Sequence, residues 1–178
     1  RFQGTNLIVD SLTANYGLVP VAIAGIVAAG TNFDLEQARF DLVTNVQPVA
    51  VANVVSALEQ ELGQKVVLPV AIAGEVKADA KLTGTAAQPI LAGTIASTKP
   101  ATVDRLQLNN ISTNFQLERG RMAQTPTPNS QSLALTLSDI LVVPAAGGKI
   151  GGKGEVDIGL GSDNSRSGLV FDLQAENV

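Results

Sequence analysis

The sequence predicts an all-β fold carrying one helix, with long strands that run as an antiparallel meander. Three observations carry this. Apolar residues recur at every second position over long stretches, the spacing of a strand with one oily face and one wet face. Glycine- and Asn/Asp-containing turn signals separate several of these stretches at short range, which favours hairpins over crossovers. Only residues 48–62 change to a helical period.

The clearest strand covers residues 70–84. Val70, Ile72, Gly74, Val76, Ala78, Ala80, Leu82 and Gly84 share one phase, and Glu75, Lys77, Asp79, Lys81 and Thr83 share the other. At roughly 3.3 Å per residue such a strand would span on the order of 50 Å, against about 5–6 residues in an ordinary strand.

Taken in order, residues 2–12 read as a strand with Leu7 and Val9 on one face, Tyr16-Gly17 as a turn, and residues 19–29 as the next strand. The phrase Pro20-Val21-Ala22-Ile23-Ala24-Gly25 returns as Pro69-Val70-Ala71-Ile72-Ala73-Gly74, which points to internal duplication. Residues 32–46 form another strand, with Ala38, Phe40, Leu42, Thr44 and Val46 opposed to Arg39, Asp41 and Asn45. Its Phe40-Asp41-Leu42 is echoed by Phe171-Asp172-Leu173. In the helix, Pro48 suits a first turn, Gly63 an exit, and Val51, Val55, Leu58 and Leu62 form an apolar stripe. This helix is expected to cap one end of a sheet.

Pro89 opens a strand over 90–97. Residues 103–117 change face midway: Leu106 and Leu108 are in one phase, Ile111, Phe115 and Leu117 in the other, so a bulge is expected near Asn109-Asn110. Residues 124–132, with Pro126 and Pro128, read as a flexible loop. Residues 133–143, 149–160 and 169–175 are the last strands, with Ile150, Gly152, Gly154, Val156, Ile158 and Leu160 in phase. Gly147-Gly148 and residues 162–165 supply their hairpin turns.

Composition removes most chemistry. The 178 residues include neither Cys nor His, so disulfides, thiolate chemistry, imidazole bases and the commonest metal ligand are excluded. A net charge of −4 argues against a nucleic-acid surface. With no Trp, one Tyr and five Phe, stacking platforms are scarce. The stretch 147–153 has the spacing of a phosphate loop. It continues into Gly154 and an alternating strand, where such a loop needs Ser or Thr and a helix. Asp163, Asn164 and Ser165 suit a turn better than a calcium loop, because the closing bidentate acid is missing. Glu59 with Glu61, and Glu155 with Asp157, lack an apolar enclosure that would tune their acidity. The chain is therefore expected not to be an enzyme and to carry no cofactor or metal.

The run Gly74-x-Val76-x-Ala78-x-Ala80-x-Leu82-Thr83-Gly84-Thr85, followed by Pro89-Ile90-Leu91-Ala92-Gly93-Thr94-Ile95, resembles the C-terminal domain of the TamB family of AsmA-like bridging envelope proteins. Residues 148–156 look like the family's glycine-spaced strand, and the stretch from Asn45 to Leu62 is most similar to the cyanobacterial and plastid branch. The resemblance covers nearly the whole chain. It implies long antiparallel strands curved into an open half-pipe (a β-taco) with an apolar interior, as one segment of a longer β-groove protein. It also implies a periplasmic location in an inner-membrane-anchored parent, or the intermembrane space in a plastid. The implied partners are a phospholipid or other acyl-chain lipid and an Omp85-type outer-membrane assembly protein.

The alternation agrees independently, since a trough needs long strands with one aliphatic and one charged face. Two readings stay open. In one, Val70, Ile72, Val76, Ala78, Leu82, Ile150, Val156 and Ile158 line a groove that carries lipids, or apolar segments of outer-membrane proteins, between the membranes. In the other, the same residues seal the core of a β-sandwich or β-solenoid spacer, and alternation alone does not separate the two. The edges of an open sheet are expected to make the isolated chain self-associate.

Overall fold

The computed structural model describes residues 1–29, 37–63, 71–119, 131–160 and 168–177. These form one open antiparallel sheet and a single helix. The strands are β1 (Phe2–Gln3), β2 (Asn6–Tyr16), β3 (Val19–Ala28), β4 (Arg39–Ala50), β5 (Ile72–Ala73), β6 (Glu75–Thr85), β7 (Pro89–Ser97), β8 (Ala101–Val103), β9 (Leu106–Arg119), β10 (Gln131–Pro144), β11 (Lys149–Leu160) and β12 (Gly168–Glu176). The helix α1 (Val51–Leu62) follows β4. Strands pair in the order β1-β2-β3-β4-β6-β7-β9-β10-β11-β12, and β5 and β8 branch off through β9. Along this path strands pair in the order in which they occur in the sequence, all antiparallel, which is the meander the turn signals predict.

Alternation decides which way each strand faces, and register aligns the strands. One transverse row runs Leu12, Ile23, Thr44, Ala80, Gly93, Phe115, Leu137, Gly154 and Phe171. The next runs Val9, Gly25, Leu42, Leu82, Leu91, Leu117, Leu135 and Val156. Both rows belong to the inner, aliphatic face. The opposite face carries Asp41 and Lys81, whose side chains form an ion pair of 2.8 Å, and Asn45, which donates a hydrogen bond to Asp79.

An extra residue in one strand bends the sheet and increases its twist. Such register shifts occur in β2 between Val9 and Leu12, in β4 between Val46 and Val49, and in β10 between Leu137 and Ile140. In β9 the shift skips Asn109, the place where the sequence changes phase. Spread across the sheet, these bulges curl it into an open half-pipe whose apolar face is the inside.

Three expectations need correction. The helix starts at Val51 and not at Pro48. Residues 48–50 stay extended because Val49 and Ala50 pair with Val76 and Glu75, and Pro48 lies at the β4 bulge, one of the few sheet positions that tolerate a residue without an N–H. The long strand over 70–84 is divided at Gly74, whose φ of 151° few other residues adopt. A Cβ there would stand 2.8 Å from the Cβ of Ala101, and the Gly74 carbonyl accepts the Val51 N–H at 3.0 Å. Finally, Gln131 and Ser132 already belong to β10, while the rest of the expected loop, 124–130, lies outside the described residues.

Gly63 follows α1 in the left-handed conformation expected of an exit. Its other local signals are weak: Ala50 offers no side-chain cap, and no acid stands in the first turn. An uncapped helix of this length depends on tertiary packing. Here Ala57 packs with Val19 and Val49, flanked by Val21, Val46, Val54 and Val76. The buried stripe thus passes through Val54 and Ala57 more than through the expected Val55.

Candidate functional site

The described residues contain little sealed core. The buried hydrophobics are Val19, Ala29, Ala38, Val49, Ala57, Ala101 and Leu108, together with the fully buried Pro144. The inner face otherwise stays half-buried, including Val76, Ala78, Leu82, Leu91, Leu117, Leu135, Ile150 and Val156. Neighbouring strands shield these side chains laterally, and among the described residues no second layer covers them along most of the trough.

At the helix end, this face forms a cavity of about 600 Å³. Val51 and Val54 of α1 line one side, with Ile72 and Val76. Ile95 and Ser97 come from β7, Val103 from β8, Leu106, Leu108 and Ile111 from β9, Ile140 and Val142 from β10, Ile150 from β11, and Phe171 and Leu173 from β12. The bulges at Asn109 and at Ser138-Asp139 bring Leu108 and Ile140 onto this face despite their odd spacing from Ile111 and Leu137. Among the described residues of the lining, Ser97 is the only polar side chain, and its hydroxyl oxygen already accepts the Ile111 N–H at 2.9 Å. The rim is apolar as well, with Ile72 and Leu106 exposed on β5 and β9, and Phe171 and Leu173 exposed on β12.

The size lies within the usual range of small-molecule sites, about 300–1,000 Å³. Such sites normally add a few converging polar groups for orientation. Among the described residues this one offers no free polar group, so its lining differs from such sites in being almost wholly apolar.

The electrostatics lie outside it. The nearest perturbed acid is Glu75, at the start of β6. Its carboxylate accepts a hydrogen bond from the Thr98 hydroxyl at 2.6 Å and another from the Lys99 ammonium at 2.9 Å. These two partners hold its pKa below the ordinary glutamate value. Among the described residues, no three acidic side chains converge as metal ligands, and every buried side-chain nitrogen or oxygen has a partner. Lys149 and Lys153, from the stretch with phosphate-loop spacing, stand on the wet face of β11 opposite Glu176 and Asp172.

Of the residues the sequence assigns to the groove, Ile72, Val76 and Ile150 meet in the cavity. Ala78, Leu82 and Val156 lie on the same face farther along the trough. Val70, the side chain of Ile158 and the Asp163-Asn164-Ser165 turn fall outside the described residues. Sequence reasoning missed the contributions of β7, β8, β9, β10, β12 and α1. Their in-phase aliphatics were visible, but which of them meet depends on register and curvature.

No helix among the described residues is long and apolar enough to cross a membrane. Comparison with protein-family models, with curated proteins and with solved structures finds no match to this chain.

Proposed function

We propose that this chain is a groove segment of a TamB-like bridging protein, and that its apolar trough carries acyl-chain lipids, or apolar segments of outer-membrane proteins, between the inner and outer membranes. The observation that carries the reading is the apolar cavity of about 600 Å³, opening from a half-buried aliphatic face that continues along the sheet. Soluble monomers seldom leave large contiguous apolar patches in water unless something binds there.

The energetics suit a carrier. Complete removal of an acyl chain of about 16 carbons from water is worth on the order of 13 kcal/mol, at roughly 0.8 kcal/mol per methylene. A trough that shields one side of the chain keeps part of this and lets the lipid slide. The absence of polar anchors in the lining favours movement over fixed binding. An outer-membrane assembly protein as receiver, and the periplasm as the place of action, rest on the sequence resemblance.

The spacer reading has one observation in its favour: α1 seals Val19, Val49 and Ala57 into a small core at one end. Among the described residues, the remaining length of the inner face has no such cover.

Native mass spectrometry of the chain purified from cell envelopes tests the proposal. The expected result is co-purified phospholipid or another acyl lipid, lost when Leu82 and Ile150 are both replaced by Asp in a variant that still folds. Lipid-free protein from lipid-rich envelopes contradicts it.

A further inference from the structure

The strands from β4 to β10 are all interrupted at one level. β4 ends at Ala50, and Val51 begins α1. Glu75, opposite Ala50, opens β6, and Gly74 parts it from β5. Thr98, whose N–H reaches the Glu75 carbonyl oxygen at 2.9 Å, begins the link from β7 to β8. In β9 the interruption falls at Asn109, between Ile111, whose N–H turns to the Ser97 hydroxyl, and Leu108, which pairs with Ala101. In β10 the register with β9 shifts between Val143 and Pro144. Together these breaks draw a crease across the sheet, packed by the buried Val49, Ala101, Leu108 and Pro144.

Beyond the crease lies a small lip made of β5, β8 and the first three residues of β9, joined by the pairs Ile72–Val103 and Ala101–Leu108. Its tip is exposed, with Ile72 at 37% and Leu106 at 45%. Ile72, Val103, Leu106 and Leu108 of the lip form one part of the cavity wall, and Val76, Ile95 and Ile111 of the main sheet form another. One set of side chains ties the two parts together on the wet face. The Glu75 carboxylate accepts the Thr98 hydroxyl at 2.6 Å and the Lys99 ammonium at 2.9 Å. These contacts fasten residues 98–100, and β8 after them, to the first residue of β6. The Lys99 side chain is 68% exposed, and ion pairs in water are weak, as suits a contact that is made and released.

We infer that the lip is a gate to the apolar cavity, hinged at Gly74, at residues 98–100 and at Asn109, with Glu75, Thr98 and Lys99 as the clasp that holds it closed. The inference rests on the cavity being the guest site proposed above. A continuous sheet resists bending because its ladder of hydrogen bonds runs through it. Here the ladder is broken on successive strands at the same level, so the lip swings with little bond breaking. Hinges of this kind are a few residues at element ends that absorb the backbone change. Two- and three-residue strands with an exposed tip belong to the part of a fold that opens at low cost. The clasp residues are absent from the cavity lining and act as positioning residues, through the lip. Entry and exit pass through the same opening. Loosening the clasp therefore raises both rates by one factor and leaves their ratio, the affinity, unchanged.

Nile red, an apolar dye that fluoresces out of water, reads both rates by stopped flow without relying on any lipid. Glu75→Gln and Lys99→Met are each expected to speed entry and exit about two- to fivefold, the loss of one exposed ion pair, at an unchanged dissociation constant. Lys77→Gln, on the same wet face but outside the clasp, should leave both rates alone. The chain has no cysteine, and opposed Cβ atoms across a strand pair lie about 4.5–5.5 Å apart, close to what a disulfide spans. The double variant E75C/T98C therefore pins the crease when oxidised and frees it when reduced. Oxidation is expected to slow both rates below those of the wild type, and reduction to raise them above. Equal rates in the two redox forms, a changed dissociation constant in Glu75→Gln at an unchanged entry rate, or no uptake of dye by the folded chain would each overturn the gate. Clasp-dependent dye exchange in a chain that carries no lipid from the envelope would uphold the gate and remove the lipid reading. Bound lipid with clasp-independent exchange would do the reverse.

Discussion

The two ends of the inner face carry the same alternating pattern and meet different fates. At the helix end, Val19 and Val49 are 7% and 4% exposed beneath Ala57 of α1. Farther along, Leu82, Leu91, Leu117, Leu135 and Val156 occupy the same face of the same strands and remain half-buried. Nothing in the side chains themselves distinguishes the two sets. The difference lies in whether another element lies over them, and α1 is the only helix among the described residues. Alternation assigns a residue to a face, while coverage is a property of the whole fold.

The sharpest way to break this contrast is to place a charge at each end. Val49→Asp buries an unpaired carboxylate in the small core and is expected to cost about 3 kcal/mol or more. Leu82→Asp lies where water reaches the trough and is expected to cost about 1 kcal/mol or less. Urea unfolding midpoints measure both, and equal losses would mean that the trough is as sealed as the helix end.

A smaller effect is expected at Gly74, where the chain turns from β5 into β6. Gly74→Ala forces a Cβ toward Ala101 in a conformation that suits glycine, so a loss of about 1–3 kcal/mol is expected. Because the Gly74 carbonyl holds the first N–H of α1, hydrogen exchange should quicken in α1 before it does in β9 and β10. Uniform quickening would detach the helix from this junction.

Ala50→Asn tests the opposite direction. It supplies the missing N-cap side chain at a residue already extended, with φ −64° and ψ 136°, and is expected to stabilise by about 1 kcal/mol. Thermal melting checks it, and no gain would mean that packing alone fixes the helix start.

The smallest effect belongs to Glu75. Its folded pKa is lowered by Thr98 and Lys99, so its contribution is present at neutral pH and disappears as pH falls below the ordinary glutamate value of 4.5. The stability difference between wild type and Glu75→Gln should shrink on acidification through that range. A difference that grows there would reverse the assigned sign.

Much of the fold was legible in the sequence because its signals are local. The face of each strand, the turn at Tyr16-Gly17, the helix and the slip at Asn109 all follow from spacing within a few residues. The missed features are not local. Pro48 reads as a helix start until β6 is known to hold β4 extended through Ala50. Gly74 reads as one more in-phase small residue until Ala101 is found packed against it. Asp139 bulges β10 with a φ of 51°, and nothing in its neighbours announces this. The candidate site was half legible for the same reason: Ile72, Val76 and Ile150 follow from phase, whereas Val54, Ile140 and Leu173 join them only through register and curvature.

The most direct test of the central claim is paired photocrosslinking in cells, in the full-length protein, with the probe at Val76 or at its neighbour Lys77. Val76 lines the cavity and Lys77 is exposed on the opposite face, so one step along β6 compares the two surfaces. The account predicts lipid adducts at Val76 and none at Lys77. Adducts at Lys77 without adducts at Val76 would contradict it.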